Sequence, residues 1–193
     1  PAGYGRVLRE ADGTVSAIVE QRDATAEQRG ITEINAGVYV FDAADLRAAL
    51  GTLGTDNDQG EVYLTDVVAY AHRAGRPTSA LVVEDHWLVE GCNDRAQLAA
   101  LGAELNRRVV AHWMEQGVGV VDPATTWVDV TVELAQDVTV EQGALLRGTA
   151  RIGPGATVGA YAIVTDVEIP AGAVVAPHSW LDSRTSTMGR AQA

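Results

Sequence analysis

The residues able to do chemistry alone are few and scattered. The chain holds 4 histidines and 1 cysteine in 193 residues. His72, His86, His112 and His178 show no metal-ligand spacing, and a transition-metal site needs several donors converging on one point. His112 continues an apolar helical stripe and reads as a packed core histidine. Cys92 has no neighbouring base in sequence and reads as a small buried residue. His178 is the one tempting general base, but it lies in a stretch, APHSWLDSRTSTMG, that reads as surface or tail. Gly153-Pro154-Gly155 could suggest a phosphate loop. Proline removes one of the N–H donors such a loop needs, so this tripeptide reads as a corner of a repeat.

Composition narrows the classes further. Acidic residues outnumber basic ones 26 to 14, a net charge of −12, which argues against a nucleic-acid or anionic-membrane surface. No apolar run approaches the roughly 18 residues of a membrane span. A single cysteine forms no internal disulfide and fits a reducing cytosol. At roughly 150 residues per domain, the length allows one or two domains. Pro1 implies a chain that begins inside a longer protein or has been processed.

Before Gly117, helix-type and strand-type patterns alternate, an α/β arrangement. Tyr4 to Leu8 and Val15 to Glu20 read as strands joined at Asp12-Gly13, a hairpin dipeptide. Asp23 or Thr25 caps a short helical turn, with Gln28 three residues after Thr25 as in a capping box, and Asp42 or Asp45 starts a helix ended by Gly51. Ile34 to Phe41 and Ser79 to Glu84 read as further strands, the first largely buried. Leu64, Val67, Val68 and Ala71 fall at helical spacing before Gly75, which suits a left-handed stop. Asp94 with Gln97 caps the longest helix, with an apolar stripe at Leu98, Leu101, Leu105, Val109 and His112.

After Gly117 the period changes. Val128, Leu134, Val140, Leu146, Ile152, Val158 and Val164 recur every six residues; after a slip of one, Ile169 and Val175 resume the step. Six matches neither the helical period nor simple strand alternation. It is the signature of a hexapeptide β-helix, with one aliphatic residue per face pointing inward and glycines at the corners.

Five strings, in order, carry a family resemblance: GYGRVLR at Gly3 to Arg9, IVEQRDAT at Ile18 to Thr25, EINAG at Glu33 to Gly37, GEVYLTD at Gly60 to Asp66, and EGCNDRAQL at Glu90 to Leu98. Together with the repeat they resemble the bacterial bifunctional N-acetylglucosamine-1-phosphate uridylyltransferases/glucosamine-1-phosphate N-acetyltransferases, from Gly3 to about Val175. The resemblance implies an α/β nucleotidyltransferase-like domain, followed by a left-handed parallel β-helix, both partial here. The boundaries it implies are 1–92 for the second half of a nucleotidyltransferase domain and 93–117 for a linker helix. The first β-helix coils follow over 118–176 and a polar tail over 177–193. Such enzymes join UTP to N-acetylglucosamine-1-phosphate and acetylate glucosamine-1-phosphate from acetyl-CoA, making UDP-N-acetylglucosamine for peptidoglycan precursors. A homotrimer, a cytoplasmic location, and Mg²⁺ are implied with that chemistry.

Residue by residue, Gly5 matches the glycine whose backbone lies against the sugar nucleotide, Glu20 the glutamate that bonds the sugar hydroxyls, and Asn35 the asparagine that orients the sugar phosphate. Asn93 matches the amide ligand to Mg²⁺, and Asp94 stands where the family has a second asparagine. Tyr4, Glu61, Tyr63 and Thr65 lie in matching strings and are candidates for shaping the pocket. Read alone, Gly5 is a turn glycine, Glu20 a solvated strand end, Asn35 a backbone cap and Asn93 a residue before a helix. The family's glycine-rich LAAGxGTRM-type loop, with the lysine and aspartate that follow it, is not in this sequence, and neither is its acetyl-transfer histidine motif. The chain by itself is therefore expected to be inactive. Another sugar-1-phosphate nucleotidyltransferase with a β-helix tail, or a non-catalytic trimeric assembly module, remains an alternative reading.

Overall fold

Three columns of short parallel strands account for the six-residue period. A computed structural model describes residues 3–186. The chain divides into two compact units, Pro1–Gly91 and Cys92–Ala193.

In the second unit one face stacks β4 (Trp127–Val128), β7 (Leu145–Arg147), β10 (Ile163–Thr165) and β13 (Trp180–Asp182). Another stacks β5 (Glu133–Leu134), β8 (Arg151–Ile152) and β11 (Glu168–Ile169). The third stacks β3 (Gly119–Val120), β6 (Thr139–Val140), β9 (Thr157–Val158) and β12 (Val174–Val175). Every pairing is parallel, so this part is a three-sided parallel β-helix. Each coil hydrogen-bonds to the next, as in Trp127 N to Ala144 O at 3.0 Å and Leu145 N to Ala162 O at 2.9 Å. All nine aliphatic residues of the six-residue series are buried. The ladder continues to Asp182, past the last of them.

The corners are set by backbone conformation. Asp137, Gly155 and Gly172 form one column of positive φ, Gly143, Tyr161 and His178 a second, and Gly148 and Asp166 a third. Two of the glycines are fixed by space as well. A Cβ on Gly143 would lie 2.4 Å from the Tyr161 ring, and one on Gly148 would lie 2.1 Å from Asp166 Oδ1. His178 is exposed, as its string implied, and stacks on Tyr161 with centroids 5.4 Å apart. The remainder of the tail beyond Ser186 lies outside the described residues.

The long helix α4 (Arg95–Glu115) begins at Asp94, whose side chain accepts from Gln97 N at 2.7 Å. Its expected apolar stripe is not the buried face. Leu98 and Leu105 are more than half exposed, and His112 is exposed with its ring edge-on to Trp113. The helix docks instead through Asn106 and Val110, with Val109 and Trp113 packed beside them. Only its C-terminal half meets a coil, so the stripe's N-terminal leucines have nothing in this unit to bury against. Asn106 works as a polar clamp: its Nδ2 donates to Thr126 O at 2.8 Å and its Oδ1 accepts from Val128 N at 2.9 Å, both buried. Those two groups stand on the outer edge of the stack, where no coil precedes β4, and the amide supplies the missing ladder partner.

The first unit is built on a hairpin of β1 (Arg6–Arg9) and β2 (Val15–Val19), antiparallel, with Gly13 at positive φ in the turn. Val7, Val15 and Ile18 form its small core, joined by Tyr39 and Val68. The capping box at Thr25 opens the short helix α1 (Ala26–Arg29), and Asp42 caps α2 (Ala43–Leu50). Helix α3 (Asp66–Arg73) buries Val67, and Gly75 beyond it takes positive φ. Two expected strands are absent. Of Ile34 to Phe41, only Ile34 makes a bridge, to Arg6, and Val40 is 99% exposed. Ser79 to Glu84 pairs with nothing and Leu81 is 92% exposed. Both are strand-like in residue type, but among the described residues no strand lies beside either to complete a ladder. Cys92 is exposed, against its expected burial.

Replacing Asn106 with Ala leaves two buried backbone groups unpaired. Denaturant unfolding of the Asn106→Ala protein is expected to show a loss of about 2–4 kcal/mol, and an unchanged midpoint would refute the clamp. Glu104 offers a pH test. Arg107 and then Arg108, with contacts of 2.6–2.8 Å, hold its carboxyl down to about 2 from an ordinary 4.5. A depressed carboxyl stabilises the fold above its unfolded value and loses that contribution as pH falls through its folded value. The thermal midpoints of the parent and Glu104→Gln proteins should therefore differ above pH 4.5 and converge as pH approaches 2.

Candidate functional site

Hairpin pairing brings the candidate residues of the first unit together. The register of β1 on β2 sets the residue before β1 against the residue after β2, so Gly5 meets Glu20. Gly5 is buried, and a Cβ there would lie 3.1 Å from Ile18 Cγ2 and 3.3 Å from Glu20 Oε2. A side chain here would press on Ile18 first and then on the Glu20 carboxylate, each of which would have to give by a few tenths of an ångström. Asn35 closes the group: its N–H donates to the Gly5 carbonyl at 2.9 Å.

Each polar side chain is then oriented by a second bond. Thr65, buried at the start of α3, donates from Oγ1 to Glu20 Oε1 at 3.2 Å. Asn35 Oδ1 accepts from Gly37 N at 3.1 Å, the backbone-capping arrangement its residue type suggested. Burial pushes the neighbouring Tyr39 phenol up, against the effect of its bond to the Asn35 side chain. Tyr63 accepts from Gln59 Nε2 at 2.8 Å; desolvation pushes its phenol up, with Asp23 and Glu20 adding to the rise and the Gln59 bond opposing it. Glu61 is exposed, and its part in the local structure is a carbonyl that accepts from Asn57 Nδ2. Tyr4 is engaged at the other end of the unit, donating to Glu90 Oε1 at 2.8 Å and accepting from Gly91 N at 3.1 Å.

Asn93 belongs to the second unit, where it is exposed and its backbone N donates to Gln97 Oε1 at 2.6 Å. Among the described residues, no group of three or more His, Cys, Asp or Glu side chains is placed to hold a metal ion. A lone amide oxygen suits a magnesium ion held mostly by phosphates and water. No helix among the described residues is long and apolar enough to cross a membrane.

Arg6 is the neighbour that residue type did not flag. It is 2% exposed, and its guanidinium donates to the Tyr4 carbonyl and, at 2.8 Å, to Gln21 Oε1, while Nε has no partner. Tyr4 and Gln21 flank Gly5 and Glu20 in sequence, so Arg6 braces both sides of the pair. The second unit carries a groove of about 490 Å³ along β5, β8 and β11, walled by Trp113 and floored by Gly153, Pro154 and Ala171. Its one ion pair, Arg151 to Glu133 at 3.2 Å, is well exposed, and it presents no nucleophile.

A parallel β-helix of hexapeptide repeats in one unit, with a glycine–glutamate–asparagine cluster on a hairpin in the other, defines a hexapeptide-repeat protein with an appended α/β part. No protein-family model matches the sequence. The chain is 57% identical to the bifunctional protein GlmU of Kineococcus radiotolerans over 175 residues, 91% of this chain and 35% of the relative. It is 54% identical to bifunctional protein GlmU of Rhodococcus jostii over 176 residues, and 52% identical to that of Corynebacterium jeikeium over 183. Those matches cover 91% and 95% of the chain, against 35% and 38% of the relatives. Over that stretch the chain is similar to these proteins, and it spans little more than a third of the length of the curated relatives it matches.

Thr65 tests the cluster. Thr65→Val keeps the shape and removes the donor to Glu20, so unfolding should show a loss of about 1.5–3 kcal/mol that Thr65→Ser largely restores. Equal losses in both variants would mean that Thr65 acts by packing alone.

Proposed function

We propose that the chain supplies the sugar-nucleotide side of a uridylyltransferase site and the opening coils of an acetyltransferase β-helix. The whole enzyme is one that makes UDP-N-acetylglucosamine for peptidoglycan precursors in the bacterial cytoplasm. The observation that carries this reading is the identity above 50%, over nine tenths of the chain, to proteins named bifunctional GlmU.

The cluster's geometry supports the roles assigned to it. Glu20 Oε1 is taken by Thr65, which leaves Oε2, lying beside Gly5, to accept from the hydroxyls of a sugar resting on that glycine's backbone. Asn35 Oδ1 is taken by Gly37 N–H and its side chain also bonds Tyr39, so what it offers a sugar phosphate is the remaining N–H of its NH₂. Asn93 would give one amide oxygen to Mg²⁺, which supplies charge neutralisation at the transferring phosphates when bound. Tyr63 and Thr65 border Glu20, and Glu61 lies two residues before Tyr63. In phosphoryl transfer, positioning and electrostatic stabilisation do nearly all the work, and this cluster serves the acceptor's position. The donors expected to hold the UTP phosphates, a glycine-rich loop with its lysine and aspartate, are not in this sequence. No residue here is assigned to acetyl transfer from acetyl-CoA. The β-helix is taken to be left-handed and to trimerise in the full-length enzyme.

The purified chain is expected to release no pyrophosphate from UTP and N-acetylglucosamine-1-phosphate with Mg²⁺, and no CoA from acetyl-CoA and glucosamine-1-phosphate. Titrated with UDP-N-acetylglucosamine, it should show amide shifts centred on Gly5 and Asn35. Equal shifts with a GDP-hexose, or none with either, would overturn the sugar-nucleotide assignment.

A further inference from the structure

Tyr4 is held at its backbone by a near neighbour and at the tip of its side chain by a distant part of the first unit. Its carbonyl accepts from the buried Arg6 guanidinium. Its hydroxyl donates to Glu90 Oε1 at 2.8 Å and accepts from Gly91 N at 3.1 Å, spanning 86 and 87 residues of sequence. Against the lowering effect of the Gly91 amide, the Glu90 carboxylate and burial push the phenol up, so it stays a neutral donor through the physiological range. Gly91 is the last residue of the first unit. After the 3-10 turn at His86–Leu88 no regular element follows until α4, and Leu88 is 71% exposed.

We propose that Tyr4 is a positioning residue: its hydroxyl latches Glu90 and Gly91 to the start of β1 and so fixes the point where the chain leaves the first unit. The same residue precedes Gly5, whose carbonyl receives Asn35 N–H. One contact chain therefore runs from the Gly5–Glu20–Asn35 cluster through Tyr4 to Gly91. Asn93 follows two residues later in sequence, and the latch's bearing on catalysis rests on the sugar-nucleotide reading given above. The latch itself does not. A phenol suits the task because it reaches across from the strand with a rigid ring and offers one donor and one acceptor at its tip. Phenylalanine would fill the same volume and hold neither partner.

Cys92 gives a local readout, being the single cysteine, exposed, and next to Gly91. A nitroxide attached there should show restricted motion in the ligand-free chain. In Tyr4→Phe the mobile spectral component is expected to rise more than about fivefold, the population change for losing a single net hydrogen bond, because both bonds of the hydroxyl are lost, with the far-UV circular dichroism unchanged. Glu90→Gln retains a carbonyl acceptor and should keep the parent's restricted motion, while Glu90→Ala should fall between the two. An unchanged label in Tyr4→Phe would overturn the latch. So would a loss of circular dichroism that accompanies the label's release, because the phenol would then be serving global packing. Full release in Glu90→Gln would also overturn it, since charge rather than the hydrogen bond would be responsible. Every arm is read without nucleotide sugar. A failed UDP-N-acetylglucosamine titration would therefore leave these results standing, and an immobile label in Tyr4→Phe would leave the titration standing.

Discussion

Backbone hydrogen bonding from coil to coil is the interaction on which the second unit depends. Each strand is only two or three residues long and could not persist alone. Stacking gives every strand a parallel neighbour one turn away, and this fixes the path of the chain at 17 or 18 residues per coil through most of the stack. Two consequences follow from the closeness of the coils. Each face turns one large aliphatic side chain inward and, two residues before it, a second of equal or smaller size (Val132, Val138, Ala144, Ala150, Ala156 and Ala162 are all buried), and this pair repeats with the period of six. The corners must turn within a few residues, which places a residue at positive φ there and leaves no space for a Cβ where a side chain from the next coil already stands, as at Gly143 beneath Tyr161.

A stack of this kind has ends, and its ends must be satisfied by something other than another coil. At the first coil the solution is Asn106, which reproduces on a helix the donor and acceptor of an absent strand. This explains why a polar residue is buried on the docking face of α4 and why Val110 and Trp113, rather than the N-terminal leucines, flank it. At β13, the last described strand, Trp180 has 69% exposure, and Asp182, buried, is bonded by the Arg184 side chain and backbone. Trp180 therefore does not cover the core of the last coil; Leu181, packed against that core, comes nearer to doing so.

Features that depend on neighbouring residues in sequence were legible before the structure: the Asp12-Gly13 hairpin, the Thr25 capping box, the Asp42 cap and the whole six-residue series. Strands at Ile34 to Phe41 and Ser79 to Glu84 were not, because a strand exists only with a partner and residue type does not supply one. The misplaced stripe on α4 has the same origin, since a helix buries the face its partner reaches, whatever its own periodicity. In the candidate site, Gly5, Glu20 and Asn35 were identified by their strings, and the hairpin register explains their proximity. Arg6 and Asn106 escaped notice because their partners include backbone carbonyls, which have no signature in sequence.

Arg6 also shows what the cluster costs the fold. At 2% exposure its guanidinium must find partners in the protein. Its acceptors among the described residues are a backbone carbonyl and the neutral Gln21 amide, and Nε is left without a partner. Burying a charge with only partial compensation is destabilising by several kcal/mol, more than a hairpin core of Val7, Val15 and Ile18 would be expected to tolerate without reason. The reason is positional. Tyr4 and Gln21 bracket Gly5 and Glu20, and the same Tyr4 reaches Gly91, so one buried guanidinium braces both the Gly5–Glu20 contact and the exit of the chain. The partners of that guanidinium sit one residue from each member of the Gly5–Glu20 pair, so its bonds hold the two strand ends together.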